Sequence, residues 1–321
     1  MRRLFTLAGI VLRTALLVCA QDTIAVIHHQ EHPGPPVGVQ LRKSVVLIEL
    51  QCSDGDKTGK SSGTGFVVAK MAPQLGKDVH FDYLVTNRHV ALCWDDQHRP
   101  MTVQSIGVRL NTKDGSPQRI DLNKKGNIRW YIPADDSVDL AVTPITITSN
   151  FDFLEIPLDN FATKDFLTAN RIAEGAQIIL SGYFYQFPGE RKFQPIVRQG
   201  ILSMIPDEPM ITTTGKSGNV YLGDVHIFGG NSGSPVLVSA QDGVLHMGEY
   251  HFLGVVSGYY HENEDLTLEI ATTVKGTGQA NSGVAMIVPA DVLQDLIEND
   301  PELKIKRDDY LKAFSAGQTP K

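Results

Sequence analysis

From Ser44 to Pro289 the apolar residues of this chain come in short runs, each cut off by Gly, Pro, Asn or Asp. Ser44–Leu50, Gly65–Ala69 and Asp82–Thr86 are the first three. Others are Val103–Leu110, Ile128–Ile132, Leu140–Pro144, Gln177–Gly182, Pro195–Ser203, Val220–His226, Val236–Val238, Leu253–Gly258, Leu266–Thr273 and Gly283–Pro289. Runs this short, rich in branched residues and bounded by turn formers, are strands. Thirteen of them in succession predict an all-β sandwich or barrel architecture. Helical periodicity is confined to Ala290–Ile297, where Val292, Leu293, Leu296 and Ile297 share one face. That predicts a short C-terminal helix, and residues 301–321 read as a charged, frayed tail.

At 321 residues and 42% hydrophobic the chain can bury one large core or two small ones. A net charge of -7 argues against nucleic-acid binding, which usually needs a basic face. Arg2 and Arg3 precede an apolar run, Leu4–Ala20, that ends Val18-Cys19-Ala20. This reads as a signal peptide over residues 1–20, cleaved after Ala20, although Arg13 interrupts the run; a short membrane anchor is the alternative. No later stretch is apolar long enough to cross a bilayer, so the mature chain is expected to have no membrane span. The expected location is secreted or periplasmic. Residues 21–40 read as a tail or linker, because Pro33, Pro35 and Pro36 forbid regular helix or central strand. Within it His28-His-Gln-Glu-His32 has the His-x-x-Glu-His spacing of a zinc site. That spacing works only on a helix, and the prolines follow at once, so no metal site and no cofactor is expected.

Three stretches carry chemistry. Gly229-Gly-Asn-Ser-Gly-Ser-Pro-Val236 is a glycine-rich turn with Ser232 at its centre. Glycines let the backbone fold tightly and let another molecule approach, and the free N–H groups beside the hydroxyl suit an oxyanion. A serine needs a base, and the base needs a third group to orient it. His89 stands just past the apolar run that ends at Thr86, and Asp139 stands at the mouth of another, flanked by Val138 and Leu140. A carboxylate entering an apolar strand must be paired. Asp135 and Asp136 are the better turn aspartates.

Together these stretches resemble the trypsin-like, double-barrel serine peptidases in their bacterial branch. The resemblance rests on Gly63-Thr-Gly-Phe-Val-Val68, Thr86-Asn-Arg-His-Val90, Asp139-Leu-Ala-Val142, Arg198-Gln-Gly-Ile-Leu-Ser203, Gly230-Asn-Ser-Gly-Ser-Pro235, Gly254-Val-Val-Ser-Gly258 and Gly283-Val-Ala-Met-Ile-Val-Pro289. They run in that family's order. The form around Ser232 looks most like glutamyl endopeptidases. The resemblance implies two antiparallel six-stranded Greek-key β-barrels packed together, within a peptidase domain over residues 41–300. Barrel one would span about 41–150 and barrel two about 165–290.

The resemblance also implies roles: His89, Asp139 and Ser232 as catalytic triad, and the N–H groups of Gly230 and Ser232 as oxyanion hole. His226, Ser257, Gly258, Tyr259 and Gly283 would bind a protein or peptide substrate, which pairs as an added strand along Ser257–Tyr259. His226 falls where enzymes that cut after Lys or Arg place a carboxylate, so no such preference is expected. Val256 stands where glutamyl endopeptidases carry a histidine, leaving the choice between acidic and medium apolar residues open. Asn231 replaces the aspartate of the animal enzymes, which removes their zymogen switch. Removal of the signal leaves Cys52 and Cys93, either bridged or as two buried thiols. Both would lie in barrel one, so the expected bridge is Cys52–Cys93. The expected function is a serine endopeptidase. A catalytically silent relative that binds peptides in the same cleft, and an esterase using the same triad, are the alternatives.

Overall fold

The computed structural model describes residues 35–54, 57–95, 97, 99–123, 128–187, 189–239, 250–269 and 273–316, with the backbone alone given for 261–269 and 273–280. The proposed signal and the His28–His32 motif lie outside the described residues.

The N-terminal half forms one sheet. Its strands are β1 (Val45–Asp54), β2 (Lys57–Met71), β3 (His80–Thr86), β4 (Cys93–Trp94), β5 (Pro100–Asn111), β6 (Pro117–Asp121), β7 (Ala141–Pro144) and β8 (Ile156–Pro157). The order is β4-β5-β1-β2-β3-β7, with β6 on β5 and β8 parallel to β2. Eight strands thus stand where six were expected, and Ile128–Ile132 adds no strand, only a bridge from Tyr131 to Val142. β1 shows why its run is apolar at almost every position. Val45 and Leu47 join one core cluster while Val46, Ile48 and Leu50 join another. Successive side chains point to opposite faces, and both faces are buried.

The C-terminal half contains β9 (Gln177–Gly182), β10 (Ile196–Met204), β11 (Met210–Ile211), β12 (Ser217–Gly218), β13 (Tyr221–Asp224), β14 (Pro235–Ser239), β15 (Tyr250–Glu269) and β16 (Thr273–Pro289). Six of these close an antiparallel barrel in the order β10-β13-β16-β15-β14-β9. Closure leaves no unpaired edge among them. Leu180, Leu202, Val236, Leu253 and Ile287 fill its interior. Its outer face packs on the first sheet, with Phe252 4.4 Å from Phe161 and 5.3 Å from Phe66 between ring centroids. The runs Leu253–Gly258 and Leu266–Thr273 belong largely to one long strand, β15, which pairs with β16 out to Glu269 and Thr273.

Helices α1 (Val37–Lys43), α2 (Arg88–Ala91), α3 (Lys164–Ala169), α4 (Ala290–Asn299) and α5 (Pro301–Ser315) complete the fold. Two correct the sequence reading. α1 begins directly after Pro36, at a helix start where proline is tolerated, and buries Leu41. α5 occupies most of the expected tail. Asp300 Oδ1 caps it by accepting from Glu302 N at 3.0 Å and Leu303 N at 2.9 Å, with Pro301 in its first turn. Its buried Arg307 donates to Tyr83 Oη at 3.0 Å, Ile297 O at 2.6 Å and Glu298 O at 2.9 Å, which fixes the helix to the body. No described helix is long and apolar enough to cross a membrane.

Candidate active site

β3 and β7 pair antiparallel with Thr86 opposite Ala141. That register sets the residues just past β3 against those just before β7. α2 is a single turn whose Val90 and Ala91 are buried, and it carries His89 on its open side. Asp139 lies on the way into β7, drawn under by Leu140 and Ala141. His89 Nδ1 lies 2.5 Å from Asp139 Oδ2, and the His89 N–H donates to Asp139 Oδ1 at 3.1 Å. The carboxylate side chain is 5% exposed and the imidazole 46%, so the pair has one buried end and one open end. Asn87 Nδ2 donates to Asp139 O at 2.8 Å and fixes the backbone. A carboxylate that accepts at the near ring nitrogen leaves the far one, Nε2, free to take a proton. Asp135 accepts from Ser137 N at 2.9 Å, as a turn aspartate does, and Asp136 faces Arg88 at the surface.

Ser232 stands on the loop between β13 and β14. Thr64 of β2 ties that loop to the first sheet. Its N–H donates to Ser232 O at 2.9 Å, and its Oγ1 donates to Gly230 O at 2.7 Å and accepts from Tyr183 N at 2.8 Å. Thr86 Oγ1 in turn donates to Thr64 O at 2.8 Å. Gly233, at φ +84°, runs so close to Thr64 O that a Cβ there would collide with it. Buried Asn231 pins the loop from behind, Nδ2 donating to Tyr183 O at 2.7 Å and Oδ1 accepting from Phe228 N at 3.0 Å. A Cβ on Gly63 would meet Val90 Cγ2 at 2.7 Å and Ser232 O at 3.3 Å, which places the histidine turn and the serine loop side by side. Among the described residues the Gly230 and Ser232 N–H groups donate to no protein acceptor. Ser232 is half-buried, and its Oγ bonds to none of the described residues, His89 included.

A cavity of 830 Å³ opens beside His89 and Asp139, with Trp94, Ile211, Gly258 and Tyr259 among its walls. The expected substrate residues therefore divide. Gly258 and Tyr259 share the cavity with His89. His226 lies elsewhere, its ring 3.4 Å from where a Gly283 Cβ would stand. Ser257 is the extra residue of a β-bulge opposite Met286 and is buried, with its hydroxyl donating to Met286 O at 3.4 Å rather than facing the cleft. Two residues along the chain from His226, Phe228 carries Arg198 stacked 4.6 Å above its ring. Burial pulls Arg198 below the ordinary arginine value, and its Nε is buried without a partner. Sequence reasoning passed over Thr64, Thr213, Trp94 and this Arg198–Phe228 pair. Cys52 and Cys93 are bonded, with Cα atoms 6.3 Å apart, and join β1 to β4 just beyond α2. Among the described residues no cluster of His, Cys, Asp or Glu has the makings of a metal site.

A family model described as a trypsin-like peptidase domain matches residues 63–245, more than half of the chain and all three of His89, Asp139 and Ser232. The chain belongs to the trypsin-like peptidase family. Other solved structures similar to this trypsin-like peptidase domain include Deg5, at 19% identity over 80% of this chain and 88% of that one, with a TM-score of 0.45. The MamO protease domain from Magnetospirillum magneticum in its apo form is 16% identical over 79% of this chain and 95% of that one, with a TM-score of 0.43. A variant of the HtrA-type protease AlgW with a decapeptide is 15% identical over 80% of this chain and 64% of that one, with a TM-score of 0.44. No curated protein matches the chain.

Proposed function

We propose that this trypsin-like peptidase is an active serine endopeptidase with His89, Asp139 and Ser232 as its triad. The observation that carries the reading is the 2.5 Å contact between His89 Nδ1 and the buried Asp139 Oδ2. Ser232 Oγ attacks the scissile carbonyl carbon while His89 Nε2 takes its proton. Asp139 holds the ring in the tautomer that leaves Nε2 basic and stabilises the imidazolium. The Gly230 and Ser232 N–H groups, free of protein acceptors, receive the oxyanion. The imidazolium gives its proton to the leaving amine, an acyl-enzyme remains on Ser232, and a water activated by His89 releases the acid. Substrate adds as a strand along Gly258–Tyr259.

The loop Gly230–Pro235 supports a place beside the glutamyl endopeptidases, and the uncharged neighbours of His226, with Arg198 over Phe228, support acceptance of an acidic or apolar residue before the scissile bond. The first sheet serves as the counterpart of the family's first barrel. The peptidase unit runs from α1 through α5, a limit that the buried Arg307 supports. Arg2, Arg3 and the Leu4–Ala20 run support export, as a secreted or periplasmic protein, and the Cys52–Cys93 bond suits an oxidising compartment.

One observation favours a silent peptide-binding relative instead: Ser232 Oγ makes no hydrogen bond to His89. Such bonds often tighten only with substrate bound. Fluorophosphonate labelling decides between the two. Labelling that disappears in Ser232→Ala supports the enzyme, and a wild-type protein that binds peptides but stays unlabelled supports the silent relative.

A further inference from the structure

We infer that Thr213 is a positioning residue for Asp139, supplied by a hairpin that reaches from the second barrel to the first sheet. The hairpin is β11–β12, with Met210 opposite Gly218 and Ile211 opposite Ser217. It hangs between β10 and β13 and docks on the turn that leads to Asp139. Thr212 Oγ1 donates to Ser137 O at 2.9 Å, and a Cβ on Gly218 would run into Ser137 Oγ. Gly215, at φ +75°, closes the tip, with its N–H on Thr212 O at 2.9 Å. The next residue, Thr213, has two contacts of its own. Its Oγ1 donates to Asp139 Oδ2 at 3.4 Å, the oxygen that also faces His89 Nδ1. A Cβ on Gly258 would stand 2.7 Å from Thr213 Cγ2, so the threonine methyl lies over Gly258.

A carboxylate that is 5% exposed has lost most of its water and needs donors in exchange. Among the described residues, those donors are His89, through its backbone N–H and its ring, and Thr213. His89 itself changes charge and moves a proton in every cycle. Among the described residues, Thr213 is therefore the one side-chain partner of the carboxylate, and the one donor to Oδ2, whose charge stays constant through the reaction. Its hydroxyl draws negative charge on Oδ2 and fixes the plane of the carboxylate against the ring. Arg88, Asp136 and Lys216 also border the cavity, but none of them makes a hydrogen bond or ion pair with the Asp139 carboxylate; Arg88 pairs with Asp136. The purpose of this positioning rests on the serine-peptidase reading; the contact does not.

The test compares wild type, Thr213→Val and Thr213→Ser in the full chain. The first readout is the pH at which the His89 ring signals titrate by NMR, which remains readable in an inactive protein. Loss of the hydroxyl leaves more charge on Oδ2 for the imidazolium, so the midpoint in Thr213→Val rises by a few tenths of a pH unit. Thr213→Ser keeps the hydroxyl, and its midpoint stays with wild type. The second readout is peptide turnover: kcat falls roughly fivefold in Thr213→Val with KM nearly unchanged, and Thr213→Ser restores it. An unmoved midpoint in Thr213→Val, or an equal shift in Thr213→Ser, overturns the assignment. A wild-type chain with no turnover and no fluorophosphonate labelling overturns the enzyme reading alone.

Discussion

Thr64 Oγ1 donates to the carbonyl oxygen of Gly230 at 2.7 Å, and through that bond the first sheet holds the loop that carries Ser232. The same oxygen accepts from Tyr183 N, so Thr64→Val orphans two backbone groups, each at a cost of about 1–3 kcal/mol. We expect a lower melting temperature. We also expect peptide turnover to fall by roughly tenfold or more, because a displaced nucleophile loses rate steeply with distance. Thr64→Val with wild-type turnover would show that the loop is positioned by other contacts.

The Cys52–Cys93 bond closes a loop of 41 residues between β1 and β4, beside the turn that carries His89. Closure of a loop of that length stabilises by about 3–4 kcal/mol in the chain-entropy picture. Intact mass after alkylation, with and without reductant, checks the bond, and urea unfolding under the same conditions checks its contribution. Two alkylated thiols in the absence of reductant would refute it.

Tyr221 is buried in the second barrel, and burial first, then the charge of Asp291, pushes its phenol from 10.0 up to about 12. An unfolded chain releases this proton near the ordinary value, whereas the native chain keeps it. The contribution is therefore whole below pH of about 10 and is lost as pH rises through about 12, on the order of 2–3 kcal/mol. Tyr221→Phe has no proton to lose. We expect its unfolding free energy to fall less than that of wild type across this window, by denaturant titration at stepped pH. Parallel curves would place the alkaline sensitivity elsewhere.

Much of this architecture is readable in the chain because its strands are buried on at least one face. The run Gln177–Gly182 is β9 to the residue, and the Ala290–Ile297 periodicity falls within α4. The stretches around His89, Asp139 and Ser232 are legible because glycine, a strand end and a buried carboxylate each leave a local mark. α5 was missed for the opposite reason. Its anchor is a buried Arg307, which looks like one more surface charge, although Asp300-Pro301 marks a helix start. β4, β8, β11 and β12 have two residues each, too few to show a period. Thr213 was invisible because it meets Asp139 across 74 residues of chain, from a hairpin that has no apolar pattern.

Phe228, two residues along the chain from His226, carries the Arg198 cation over its ring, and no carboxylate pairs with that cation among the described residues. An incoming Lys or Arg would have to lose water beside these groups without gaining a counter-charge, which is costly. We expect a degenerate peptide library to be cut after acidic or medium apolar residues and not after Lys or Arg. Dominant cleavage after Lys or Arg would point instead to Asp224, which lies exposed on β13.

The most direct test of the triad is the turnover of Asp139→Asn against wild type on one peptide substrate, with Asp136→Asn as control. In triads of this kind the exchange leaves the geometry intact but favours the wrong tautomer, at a loss on the order of 10⁴-fold in kcat. We expect that loss in Asp139→Asn, with Ser232 still accessible to a fluorophosphonate at a slower rate, and near wild-type turnover in Asp136→Asn. Full turnover in Asp139→Asn, or the steep loss in Asp136→Asn instead, would contradict the assignment of His89, Asp139 and Ser232.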